Sequence, residues 1–187
     1  MDRVASPWLI KRFIDSDAEF IFVPFGSDVK PPSGAIPFAL PGVELGIHDA
    51  DGSTFRKILR KYKIEDRALE ILATIIDSGI THVFSQIERG YTDVAALKDP
   101  VGIGLDALSQ GMMNISANDN DNIDKSLIFY DSLYAYCRLK VLESDKPEIL
   151  NVPIPERWNV IKRELTATHM SDSSASGDPA LYHRQVS

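Results

Sequence analysis

The chain is short of the residues that build several common kinds of functional site. Its 187 residues include one cysteine, Cys137. An intramolecular disulfide and a zinc site made of cysteines are both excluded, and such sparing use suits a reducing compartment. Positive charge is also scarce: 20 Lys and Arg stand against 27 Asp and Glu, a formal net charge of −7. A general nucleic-acid binder needs the opposite balance, so direct nucleic-acid binding is disfavoured. There is no glycine-rich phosphate loop, no paired-cysteine motif and no Ser/His/Asp order of a hydrolase. No apolar run approaches the ~20 residues of a membrane helix, and Asp15, Asp17 and Glu19 come too early for a secretory leader. The expectation is a cytoplasmic protein with no membrane partner.

What the chain does have is an ordinary globular composition, 44% hydrophobic and 25% charged, at a length that suits one domain with a tail. Ser6-Pro7 is a good helix start, although Asp2 serves equally well; Leu9, Ile10, Phe13 and Ile14 then share one apolar face. Glu19–Pro24 reads as a buried strand ended by proline, Gly26–Gly34 as loop, and residues 35–40 and 43–45 as short extended pieces. From Ser53 the periodicity becomes helical. Ser53 or Thr54 caps a helix through Phe55, Ile58, Leu59 and Tyr62. Asp66 caps one that carries Leu69, Leu72, Ala73 and Ile76 and ends near Gly79. A weak short helix over Thr81–Glu88 follows. Another opens at Asp99-Pro100 with Val101, Leu105, Leu108 and Met112 in register. Asn118–Asn122 reads as a polar turn, and a last helix carries Ile123, Leu127, Tyr130, Tyr134, Cys137 and Val141. Arg157–Leu165 reads as an isolated helix and Ser171–Asp178 as disordered. The expected fold is α+β and mainly helical, with a small N-terminal sheet of two or three short strands packed on a helical bundle. The expected organisation is a domain over residues 1–143 and a largely disordered C-terminal extension over 144–187.

Three places could carry chemistry. Arg3, Lys11 and Arg12 crowd the first helix, and an arginine fork grips a carboxylate or a tetrahedral oxyanion equally well. These cations are therefore either an anion site or one side of an ion-pair network with Asp15 and Asp17. His48 is flanked by Glu44, Asp49 and Asp51, just ahead of a helix. It could donate to an anion or join those carboxylates around a divalent metal ion; the run could equally be a turn leading into the helix cap. Asp131 lies beside Tyr130 and Tyr134 at the edge of an apolar stripe, a setting in which an aspartate commonly partners an arginine, here Arg3 or Arg12. With Asp15 and Tyr134 it forms the expected outer ring around the cations. His82, His169 and His183 are isolated.

The stretches Asp2–Asp15, Ala18–Pro24, Gly34–Phe38, Pro41–Glu44 and Tyr130–Cys137 resemble the chromate resistance family of the ChrB C-terminal-domain type. Lys11 stands where arginine is usual in that family, and Ser53 where a cysteine is often found. The resemblance implies a cytoplasmic module tied to chromate resistance and oxyanion stress, with a small inorganic oxyanion as partner and Arg3, Lys11, Arg12 and His48 as the positions that handle it. The leading expectation is an oxyanion-responsive binding module. The alternatives are a metal-dependent enzyme or metal-binding stress protein centred on His48, and a structural or partner-binding domain.

Overall fold

Helix capping explains most of the element boundaries. Ser53, in extended backbone, accepts from the Arg56 N–H and opens α2 (Thr54–Tyr62). Asp66 accepts from the N–H groups of Ala68 and Leu69 and opens α3 (Arg67–Arg89). Asn118 accepts from the Asp121 N–H and opens α5 (Asp119–Asp145). Each cap satisfies N–H groups that the first helical turn leaves without a carbonyl. The remaining helices are α1 (Asp2–Phe13), α4 (Val101–Ile115) and α6 (Ile154–Ala175), with 3-10 turns at Val94–Ala96 and Pro147–Asn151. The computed structural model describes residues 1–24 and 32–175. Most of the expected Gly26–Gly34 loop, the end of the expected disordered stretch and His183 lie outside them.

The expected N-terminal sheet is absent from the described residues, and the fold is all-helical. The segment read as a buried strand, Glu19–Pro24, runs without regular structure, and Ile21 within it is 66% exposed. Its aromatic rings are used differently: Phe20 lies under Lys11 and edge-on to Phe38, and Phe22 lies under Arg3. Stacked against the cations of α1, the segment forms no ladder. All that is left of the expected sheet is one parallel bridge, Phe38 to Leu45, with the Ala39 N–H donating to the Leu45 carbonyl at 2.8 Å. An apolar run four residues long, Phe20–Val23, is equally well satisfied by rings packing flat on a helix as by strand pairing.

Two helices depart from expectation for one reason. α3 does not stop at Gly79 but continues to Arg89, absorbing the separate short helix expected at Thr81–Glu88, and ends at Gly90 in the left-handed region. Gly79 is a contact glycine. A Cβ on the facing Gly102 of α4 would come within 2.4 Å of the Gly79 nitrogen and 2.7 Å of the Ile75 carbonyl oxygen, so the two backbones touch. This close approach rotates α4. Gly102, Leu105 and Asp106 are buried, whereas Leu108, expected on the inner face, is 53% exposed.

The core lies among α1, α2, α3 and α5. Trp8 is fully buried at its centre, stacked on Phe55 and packed against Phe13, Tyr130 and Tyr134. From α5, Ile123, Tyr130, Tyr134 and Cys137 point inward as their spacing predicts. Burial pushes the Cys137 thiol up to about 12. α3 is long and apolar enough to span a bilayer by length and composition, but here Leu69, Leu72, Ala73, Ile75 and Ile76 fill the core. A smaller apolar cluster of Leu142, Ile149 and Ile161 holds α6 and the second 3-10 turn against the end of α5.

Helix propensity alone says that Gly102→Ala should stabilise α4 by roughly 0.5–1 kcal/mol. The backbone contact reverses the sign: the variant is expected to lose about 2–4 kcal/mol in urea denaturation, since the added methyl must push two helices apart.

Candidate functional site

The charged residues of α1 go to three different places. Asp2 reaches across to α2, where its carboxylate accepts from the Thr54 N–H at 2.7 Å and the Phe55 N–H at 3.0 Å and from the Ser6 hydroxyl at 3.1 Å. It is a helix cap supplied by another helix. Arg12, at the other end of α1, grips Asp131 of α5 through Nε and Nη2, both at 2.8 Å, while the Trp8 indole N–H donates to the same carboxylate at 2.8 Å. This is the pairing expected of Asp131, and both partners are more than four-fifths buried. Tyr134, expected in the same ring, donates to the Asp66 cap of α3 at 2.5 Å. Lys11 lies over Phe20, and Asp15 accepts from the Asp17 N–H at 2.9 Å.

Arg3 stands apart. It meets Asp119 through one nitrogen, Nη2, at 2.7 Å, and this pair is 58% and 42% exposed. Nine residues separate Arg3 from Arg12, about 13.5 Å of helix at 1.5 Å per residue and half a turn out of phase. Their guanidinium groups therefore do not form one anion clamp. Arg3 edges a cleft between α1, α4 and α5 lined by Val4, Ser109, Met112, Asn122, Ser126 and Tyr130. Asn122 is nine-tenths buried there and accepts from the Ser126 hydroxyl through its side-chain oxygen, which leaves its NH2 group as a donor on the wall. The accessible space is about 70 Å³. At ~30 Å³ per water that is the size of a small inorganic ion. A broader recess of about 580 Å³ lies between the start of α3 and α5; Glu65, Asp66 and Glu70 line it together with Arg67 and Lys140, so its wall is mixed in charge and negative on balance.

His48 is on another part of the molecule. Its ring stacks on Phe84 of α3, and its Nδ1 is buried without a hydrogen-bond partner. Two of the three carboxylates expected to join it are paired with lysines. Glu44 pairs with Lys61, and Asp49 pairs with Lys57 and accepts from the Asp51 N–H. Among the described residues no group of three or more His, Cys, Asp or Glu side chains is placed to hold a metal ion.

Two polar groupings were not legible in the sequence. Arg56 binds Asp77, Glu70 and Thr74 of α3, and Asp77 also accepts from the Ser53 N–H, locking α2 to α3. His82 meets Thr92 at 2.6 Å and lies 3.9 Å from the buried Asp106, which also accepts from Gln110. His82 reads as isolated in sequence because its partners come from a loop and from another helix. The Arg56 contacts to α3 had a faint signal, the polar residues Glu70, Thr74 and Asp77 at steps of four and three on α3.

The fold and these contacts define a class: among the described residues, a small all-helical domain whose charges mostly brace helices, with an Arg3-edged cleft between α1, α4 and α5. The chain belongs to the family described as the ChrB C-terminal domain, whose model matches residues 1–137. Membership ties it to chromate resistance. It is similar to Protein ChrB of Cupriavidus metallidurans, 32% identical over 138 residues, an alignment covering 73% of this chain and 37% of that protein. The chain thus matches little more than a third of its relative's length. No solved structure matches it.

Arg12→Ala is expected to destabilise the fold by about 2–4 kcal/mol in chemical denaturation, because it strands a largely buried carboxylate. Arg12→Lys should recover only part of that, since the two-pronged grip is lost. Arg3→Ala should change stability by less than about 1 kcal/mol, as befits an exposed pair. Asp49 titrates below the ordinary aspartate range, chiefly through its hydrogen bond from Lys57 and then that from the Asp51 N–H. A depressed carboxyl contributes stability above its unfolded pKa and loses it as pH falls through the folded one. A carboxyl-resolved NMR titration should place the Asp49 midpoint below about 3.9 and return it towards that value in Lys57→Ala.

Proposed function

We propose that this domain is an oxyanion-responsive binding module, with chromate or a similar tetrahedral anion held in the cleft between α1, α4 and α5. Arg3 is its principal contact. The observation that carries this reading is the contrast between the two arginines of α1. Arg12 spends both prongs on Asp131, whereas Arg3 uses one nitrogen on an exposed aspartate and edges a cleft of ionic size.

The energetics of an exchange are favourable. An exposed ion pair is worth only ~0–1 kcal/mol, so an incoming dianion displaces Asp119 at little expense. Asp119 does not become an uncompensated charge when released, because it is the first residue of α5 and the helix N-terminus stabilises it there. The Asn122 amide supplies a neutral donor on the wall, while the hydroxyls of Ser109 and Ser126 are spent on the Leu105 carbonyl and on the Asn122 side-chain oxygen. Chromate and sulfate share shape and charge, so this site binds both and discriminates between them poorly. Lys11 and Arg12 are supporting residues on this reading, and His48, held on Phe84 away from α4 and α5, is outside the anion site.

Titration calorimetry with chromate and sulfate tests it. The wild-type chain should bind both, and Arg3→Ala should weaken each about tenfold or more, the loss of one charge-assisted contact of ~1.5–3 kcal/mol. Asp119→Asn should tighten binding by removing the competitor. Unchanged heats in Arg3→Ala would sink the assignment.

A further inference from the structure

α4 carries an outward line of residues that no other element covers among the described residues. Gly104, Leu108, Gly111 and Ile115 recur at steps of four, three and four, so they fall within about 60° of one another on a helix of 3.6 residues per turn. The line lies opposite the buried side that Gly102 and Leu105 present to α3. Leu108 is 53% and Ile115 64% exposed, and the space that a Cβ would occupy at Gly104 and Gly111 is empty. Four-three-four spacing is that of a helix seam, in which side chains of one helix enter gaps of another.

Charge and order along the line identify what fits it. From Val101 to Asn118 the chain has one ionisable residue, Asp106, which is buried against His82 and Gln110. The protein as a whole is net acidic, with a formal charge of −7, so two copies meet with least repulsion through a neutral face such as this. The four seam residues carry no charge; the nearest ionised group, Lys125, donates to the Ile115 carbonyl at the end of the line and is paired with Asp121. The order is self-complementary in one orientation. A two-fold axis crossing α4 between Ser109 and Gln110 sets Gly104 against Ile115 of a second copy and Leu108 against its Gly111. Each large side chain then meets a glycine, twice over, as an isologous interface requires. A parallel arrangement sets leucine on leucine and glycine on glycine, which wastes both gaps.

We infer that α4 is the contact surface between two copies of this chain, packed antiparallel through Gly104, Leu108, Gly111 and Ile115. The two helices approach more closely than the usual 8–10 Å, because glycine occupies half of the seam. The surface is separate from the anion cleft, which opens on the other flank of α4 through Ser109 and Met112.

Sedimentation equilibrium over a wide concentration range reads the assembly directly. The full chain should be a dimer whose dissociation constant rises at least about tenfold in Leu108→Lys, a central contact turned into a charge. Gly111→Leu should do the same by filling the gap, and since the glycine is exposed mid-helix the monomer stays folded, as circular dichroism will confirm. Ile128→Lys, 72% exposed on α5, should leave the assembly unchanged. Orientation follows from cross-linking: a Leu108→Cys, Gly111→Cys double variant should form an interchain disulfide readily, and Leu108→Cys alone should not. A wild-type chain that remains monomeric at every concentration overturns the inference. So does a dimer indifferent to Leu108→Lys and Gly111→Leu, and efficient linkage through Leu108→Cys alone overturns the antiparallel packing.

Discussion

One carboxylate holds the first helix to the longest. Asp131 of α5 accepts from the Trp8 indole and from both prongs of Arg12, so it fixes α1 at its middle and at its end in a single stroke. Trp8 cannot enter the core without a partner for its N–H, and Asp131 cannot be largely buried without a cation. Each requirement answers the other. The aromatic cluster of Trp8, Phe13, Phe55, Tyr130 and Tyr134 assembles around that point. At the opposite end of α1, Asp2 caps α2, so the helix is tied to two neighbours by carboxylates in two different roles.

This constraint sorts the basic residues by function. A guanidinium committed to a buried carboxylate is part of the scaffold, whatever its attraction for an anion in isolation. Arg12 and Arg56 are of that kind: Arg12 puts both its bonds on the largely buried Asp131, and Arg56 bonds the largely buried Asp77 as well as the exposed Glu70. Arg3 is of the other kind, singly bonded and exposed at the margin of a cleft. The cluster that looks continuous along the chain is divided by helix geometry into a brace and a contact.

Parts of the fold were legible without coordinates. The caps Ser53 and Asp66, the inward face of α5 and the pairing of Asp131 with an arginine all follow from local rules: a side-chain oxygen before an apolar period, a repeat near 3.6, a polar group bordering a buried stripe. The N-terminal sheet was misread because a short apolar run specifies burial but not its partner, and rings at Phe20 and Phe22 found cations on α1 instead. Gly79 was misread because glycine marks a helix end and a close helix crossing with the same letter. Only Gly102, brought to within van der Waals contact of it by the fold, tells them apart. Of the carboxylates around His48 that look like ligands in one dimension, two turn out to serve Lys57 and Lys61.

By itself the amino-acid sequence determined most of the helices after residue 53, the starts at Ser53-Thr54 and Asp66, the acidic balance and the family motifs, because each depends on residues within a few positions of one another. Tertiary structure alone decided which arginine is spent and which is open, where α3 ends and which side of α4 faces outward. Those outcomes depend on partners far apart in the chain, and no local pattern encodes the distance between them.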